Sequence, residues 1–204
     1  KGTEDCAIVY EKGEAPLIFH APYYFEVVKD YCKKGHVQEI EITKPDSNLP
    51  AGLTVMDTPG VDSTDDAHRI ATESAIYMAD LVFYVMDYNH VQSELNFTFT
   101  KELLDHGLEL YLIINQIDKH RNEELPFSAF RRGVENAFAS WHVRPGGIFY
   151  TSLKDPDHPD NEFGRLKALI DRAVSEKSAR LERSVEASLS VLEKEHADWL
   201  EAQY

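Results

Sequence analysis

Apolar residues along the chain fall into two rhythms. Val37-Gln-Glu-Ile-Glu-Ile-Thr43 alternates, with Ile40 and Ile42 on one face and Glu39 and Glu41 on the other, which predicts a half-solvated strand. Leu53–Asp57, Leu81–Asp87, Leu108–Ile114 and Ile148–Ser152 are instead nearly continuous apolar runs of strand length, as expected of strands buried on both faces. Cys6–Tyr10 is a further short strand. Ala15 to Pro22 carries two prolines and reads as irregular. Between these runs the spacing becomes helical: Tyr23–Lys34 (Phe25, Val28, Tyr31/Cys32), Ala67–Ala79, a helix capped by Ser93 and stopped by Gly107, and Leu125–Trp141. Strands and helices alternating at this interval predict an α/β fold with a largely parallel sheet. Val37–Thr43 is expected as an antiparallel edge strand beside Leu53–Asp57.

From about Glu162 the pattern changes. Leu166, Leu169, Val174, Leu181, Val185, Leu189, Leu192 and Trp199/Leu200 recur at helical spacing with no glycine or proline after Gly164. Such a helix is too long for a compact α/β domain. Its first turns are expected to cover the sheet, and the rest to leave the domain with an apolar stripe that needs neighbouring helices. The chain thus divides into a domain over residues 1–173 and an amphipathic helix over 174–204.

Composition narrows the function classes. The 204 residues carry 36 acids against 21 basic residues, a formal net charge of −15, which argues against a nucleic-acid surface and against lying on an anionic membrane. Two isolated cysteines without Cys-x-x-Cys spacing fit a reducing compartment. No apolar run reaches the length of a membrane span and no signal-peptide pattern opens the chain, so any membrane contact is expected through regions outside it.

The chemistry gathers at strand ends. Asp57-Thr-Pro-Gly60 closes one predicted strand: Asp57 could hold a hydrated Mg²⁺, and the Gly60 amide could grip a terminal phosphate. Asn115-Gln-Ile-Asp118 closes another. A carboxylate at Asp118 could accept two hydrogen bonds from guanine N1–H and its exocyclic amine, a pair adenine cannot supply. Asn115 would tie neighbouring loops together, and the stem of Gln116 could lie across the base. Backbone amides after Thr151-Ser152, as far as Leu153, could reach the guanine oxygen. His68, His90, His106 and His120 lack metal-ligand spacing and read as surface residues, and Asp87 as a strand-end residue.

Asp57-Thr-Pro-Gly60, Asn115-Gln-Ile-Asp118 and Thr151-Ser152-Leu153 resemble the third, fourth and fifth guanine-nucleotide motifs of Ras-like GTPases. Asp57–Ser63, Ala79–Asp87, Ile113–His120 and Ile148–Leu153 resemble, more closely, bacterial dynamin-like proteins of the tandem-unit (DynA-like) type. The likeness spans about residues 6–173, with the terminal helix resembling the start of a helical neck. It implies a Ras-like P-loop GTPase fold that hydrolyses GTP to GDP with Mg²⁺ held by Asp57. It further implies a homodimer across the nucleotide face, coupled to membrane remodelling, tethering or fusion. The full-length protein is then expected in the cytoplasm, peripheral to the inner face of the cell membrane. By the same resemblance Asp57, Gly60 and Thr3 would serve hydrolysis, Thr3 through the first switch. Thr58, Gln116, Lys119, Ser152 and Leu153 would line the nucleotide, Lys119 either at the ribose or simply at the surface.

Two departures accompany the resemblance. Gln116 stands where the fourth motif usually has Lys. No Gly-x-x-x-x-Gly-Lys-Ser/Thr loop occurs either. That leaves two readings: a degenerate loop at Glu11-Lys-Gly-Glu14 in a catalytically silent interaction module, or a phosphate loop upstream of Lys1. The second is favoured, because removing a central strand would cost more than the ~5–15 kcal/mol stability of a domain.

Overall fold

The computed structural model describes residues 2–31, 37–50, 53–58, 76 and 79–201, in two compact units, Lys1–Met78 and Ala79–Tyr204. The N-terminal unit holds β1 (Cys6–Glu11), β2 (Leu17–His20), α1 (Phe25–Tyr31) and β3 (Val37–Thr43). β1 is the middle strand of an antiparallel sheet ordered β2-β1-β3, with Ala7 opposite Phe19 and Ile42, and Val9 opposite Leu17 and Ile40. Residues directly opposite share a face, so Ile40 and Ile42 line up with Ala7 and Val9. Ala7, Val9 and Val28 of α1 are buried together in this unit.

Two expectations for this unit fail. Ala15 to Pro22 is not irregular: Pro16 and Pro22 flank β2 rather than interrupt it, a position that costs an edge strand no ladder bond. β3 pairs with β1 and not with Leu53–Asp57, which forms no strand. Val55 is 67% exposed, and Met56, Asp57 and Thr58 are also exposed. An apolar run becomes a strand only where a neighbouring ladder takes up its N–H and C=O groups, and Leu53–Asp57 belongs to neither of the two described sheets. Pro59, Gly60, the segment Val61–Asp66 and most of the predicted helix 67–79 lie outside the described residues.

The C-terminal unit is the predicted parallel α/β arrangement. β4 (Val82–Asp87), β5 (Leu110–Asn115) and β6 (Gly147–Tyr150) form a parallel sheet in that order, with Asp87 opposite Asn115 and Ile114 opposite Tyr150. α2 (Glu94–Asp105) and α3 (Phe127–Ser140) are the crossovers between the strands. Ser93 caps α2 by accepting from the Asn96 amide, and Gly107, at φ 75°, ends it in the left-handed region where a Cβ is disfavoured. β5 is the most buried strand, with Leu110, Leu112 and Ile114 at or near zero exposure. Phe97, Val134 and Phe138 bury the helices, Phe97 and Phe138 meeting edge to face.

α4 (Phe163–Ser175) packs Leu166 and Leu169 against Ile113 and Phe149 of the sheet. The long terminal helix predicted from Glu162 is two helices, for α5 (Lys177–Glu201) begins after a break at Glu176. α5 is seated by an unexpected face. Arg180 is buried and binds Glu109, whose other carboxylate oxygen accepts from Tyr111, and it also reaches Glu176 at 3.4 Å. Two turns further on, Ala187 packs so near Gly107 that an added Cβ there would lie 3.3 Å away. The apolar stripe Leu181, Val185, Leu189, Leu192 and Trp199 stays exposed.

Candidate functional site

The carboxyl ends of β5 and β6 carry the two loops of interest, and backbone bonds join them. After Asn115 the chain turns left-handed at Gln116 (φ 67°) and enters a 3₁₀ turn, Ile117–Lys119. A left-handed backbone at a residue with a Cβ costs roughly 1–2 kcal/mol. It is held here because Ile117 is completely buried and its amide donates to the Thr151 carbonyl at 3.2 Å. Ile117 anchored inward leaves Asp118 at the loop surface beside the end of β6. The Thr151 hydroxyl donates to Asn115 Oδ1 at 3.3 Å, and the Thr151 amide to Ile114 at 2.8 Å. Asn115 therefore links the two loops.

Asp118 is the electrostatic centre of this junction. Its Oδ1 accepts from the Ser152 hydroxyl at 2.7 Å, and its Oδ2 lies 3.8 Å from Lys154 Nζ. Ser152 is itself buried, and its Oγ accepts from the Asp155 amide at 2.9 Å, so the hydroxyl proton is committed to Asp118. The Ser152 hydrogen bond, helped by Asp118's own backbone amide and by Lys154 and Lys119 against the opposing effect of burial, holds the Asp118 carboxyl below the usual carboxylate range. An ionised acid with one oxygen fixed by a hydroxyl and the other approached only at 3.8 Å by the exposed Lys154 ammonium is an acceptor for a ligand's paired N–H donors.

The 151–162 loop is fastened at both ends. Tyr150 donates its amide to Glu162 Oε2 at 3.1 Å and accepts from the Glu162 amide at 2.8 Å. The buried Glu162 carboxylate is neutralised by Arg131 and Arg165. Inside the loop, Asn161 bonds to the backbone of Ser152, Asp155, Pro156 and Phe163. Nothing in the sequence distinguishes Lys154 or Glu162, and the one signal for Asn161 is an Asn two residues before a helix.

Other sequence candidates fall elsewhere. Thr3, Asp57 and Thr58 are exposed residues of the N-terminal unit, and Asp57 stands in an irregular segment rather than at a strand end. Lys119 is exposed and Leu153 is 66% exposed. Asp87 proves to be a structural cap: it accepts from the Asn89 amide at 2.9 Å and from His90 Nδ1 at 2.6 Å, and His90 is the main reason its carboxyl is lowered. His120 is not a plain surface residue. Its Nε2 donates to the Leu125 carbonyl, Nδ1 accepts from the Tyr88 hydroxyl, and its ring lies among Phe127 and Phe130. No group of three or more metal-ligating side chains occurs among the described residues, and no helix among them is long and apolar enough to cross a membrane.

Comparison with known proteins follows the same lines. The Dynamin family model matches residues 24–118. Dynamin-like protein A of Bacillus subtilis (strain 168) is 34% identical over 179 residues, covering 87% of this chain and 15% of that protein. The chain thus spans about a seventh of that relative's length. Two solved chains from an oligomerised bacterial dynamin pair, described as a mechanism for long-range sensing and tethering of membranes, share its fold. Their TM-scores are 0.58 and 0.55 at 12% and 11% identity, over 99% and 100% of this chain and 45% and 39% of theirs. With a parallel sheet whose strand ends carry Asn115–Asp118 and Thr151–Leu153, a family match over residues 24–118 and a bacterial relative a third identical, the chain belongs to the dynamin superfamily, is similar to bacterial dynamin-like proteins and has the fold of a dynamin-type GTPase domain.

Proposed function

We propose that this chain supplies the guanine-recognising part of a GTP-binding and GTP-hydrolysing domain in a bacterial dynamin-like protein. The observation that carries the reading is Asp118: an ionised carboxylate, oriented by Ser152, at the junction of two loops that follow adjacent parallel strands. Ligands bind at this edge of open α/β sheets. Asp118 would accept from guanine N1–H and the exocyclic amine. Adenine would leave that acid unpaired, and this asymmetry is the source of selectivity. Asn115 holds the loops in register, Gln116 would cover one face of the base, and backbone amides beyond Ser152 would meet the guanine oxygen. The exposed Lys119 would contact the ribose.

For hydrolysis, the reading assigns Asp57, Gly60 and Thr3 to the phosphates. The exposed Asp57 carboxylate fits Mg²⁺, an ion that takes one or two carboxylates and fills its remaining positions with water and phosphate oxygens. When bound, that ion would neutralise charge developing on the transferred phosphoryl group. Gly60 would donate its amide to the terminal phosphate, and Thr3 would orient water. In the full-length protein, nucleotide-dependent dimerisation across this face would be coupled to membrane tethering or remodelling. The exposed stripe of α5 would pack against neighbouring helices of the same protein. The sensing and tethering described for the structural relatives supports that coupling.

Asp118→Asn in the full-length protein tests the assignment. An amide in place of the carboxylate donates where guanine also donates but complements xanthine, so preference should move from GDP to xanthosine diphosphate in calorimetry. Unchanged preference would remove the guanine assignment. Absence of any nucleotide heat in the wild type would favour the silent interaction module.

A further inference from the structure

The Asn161 side chain occupies the middle of the 151–162 loop, and every one of its polar contacts is to backbone. Oδ1 accepts from the amides of Ser152 (3.3 Å) and Phe163 (3.2 Å). Nδ2 donates to the carbonyls of Ser152 (2.8 Å), Asp155 (3.3 Å) and Pro156 (3.2 Å). Oxygen faces only donors and nitrogen only acceptors, so the amide's orientation is set by chemistry.

The bond to the Ser152 carbonyl matters most. That carbonyl and the Leu153 N–H belong to one trans peptide plane, in which C=O and N–H point in opposite directions. Drawing the carbonyl toward Asn161 therefore turns the Leu153 N–H away from Asn161. On either side the loop's amides are taken, Ser152 N by Asn161 and Asp155 N by Ser152 Oγ. The amides of Leu153 and Lys154 between them have no hydrogen-bond partner among the described residues. The same Ser152 carries the bond to Asp118. One residue thus ties the acid to a pair of open amides, with Asn161 setting their direction.

We propose that Asn161 is a positioning residue for purine recognition, aiming the Leu153–Lys154 amides at the 6-oxo group of the base. This rests on the guanine reading above. Asn161 touches no ligand and acts through one peptide plane. A merely structural role, capping the start of α4 through the Phe163 amide, is separable from it, because Asn161→Asp keeps the acceptor oxygen for both amides while removing all three donor bonds.

The test uses the full-length protein and two probes, GDP and 6-thio-GDP, which differ only in the acceptor at position 6. Wild type should prefer GDP. In Asn161→Asp and Asn161→Ala, GDP should bind about fivefold to tenfold more weakly, the value of one hydrogen bond, and the preference for oxygen over sulfur should shrink toward unity. Because Asn161→Ala also removes the cap, Asn161→Asp decides if the alanine variant does not fold. Weaker GDP binding with the oxygen preference intact would overturn the positioning role, as would unchanged GDP binding or a wild type indifferent to the sulfur. A wild type that binds neither probe would instead sink the guanine reading itself, so the two failures are distinguishable.

Discussion

Removing one oxygen, in Ser152→Ala, tests the junction most directly. Ser152 is 1% exposed and its Oγ makes two bonds, a donation to ionised Asp118 at 2.7 Å and an acceptance from the Asp155 amide at 2.9 Å. A hydrogen bond to a charged group contributes about 1.5–3 kcal/mol and a neutral one about 0.5–1.5 kcal/mol. Neither is lost in full, since Lys154 and water can still approach Asp118, and the exposed loop lets the Asp155 amide return to water. The net destabilisation should be about 1.5–2 kcal/mol. Its pH dependence is the sharper signature. The folded Asp118 value is lowered, chiefly by Ser152, so its stabilising contribution is present above the unfolded carboxylate value of about 3.9 and lost as pH falls through the lower folded one. Urea denaturation followed by circular dichroism at pH 7 and at stepped values down to pH 3 should show the gap between wild type and variant closing below about pH 4. A gap under about 0.5 kcal/mol at pH 7, or one equally large at pH 3, would refute the account.

Other expectations are as concrete. Arg180→Ala leaves Glu109 without its guanidinium, and with that carboxylate about a third exposed the loss should be about 1–2 kcal/mol; limited proteolysis should then cut faster between Ser175 and Leu181. Ile117→Ala opens a cavity under the left-handed turn at Gln116, at a cost of about 2–4 kcal/mol measured by denaturant midpoint. Burial pushes the Tyr150 phenol well above the ordinary tyrosine value, so it stays neutral in the fold; stability present below about pH 10 should decline above it, and one phenolate should appear at 295 nm only on unfolding.

The parallel half of the molecule was legible because each element carries redundant information. β5 is apolar at every buried position, Ser93 and Gly107 mark both ends of α2, and Phe130, Val134 and Phe138 repeat at one helical spacing. The N-terminal half was less legible because strand pairing is non-local. Val37–Thr43 shows which face is apolar, and nothing in it says whether Cys6–Glu11 or Leu53–Asp57 lies alongside. At the candidate site the acid and its neighbours could be read, since Asn115 and Asp118 close a buried strand. Asn161 could not, because its contribution is entirely to main-chain groups whose positions the sequence does not state. Nor could the seat of α5, where a buried arginine overrides the leucine periodicity that would otherwise have chosen the inward face.

That choice of seat has a mechanical meaning. α5 is 25 residues long, about 37 Å at 1.5 Å per residue, and its fastenings at Arg180 and Ala187 both lie in the first half. Pivoting about Arg180 by roughly 10° would sweep the Leu200 end through about 5 Å. The same rotation moves Ala187, about 10 Å from the pivot, by about 2 Å, so a shift at the Gly107 turn is magnified roughly threefold at the far end, with the leucine edge free to transmit it.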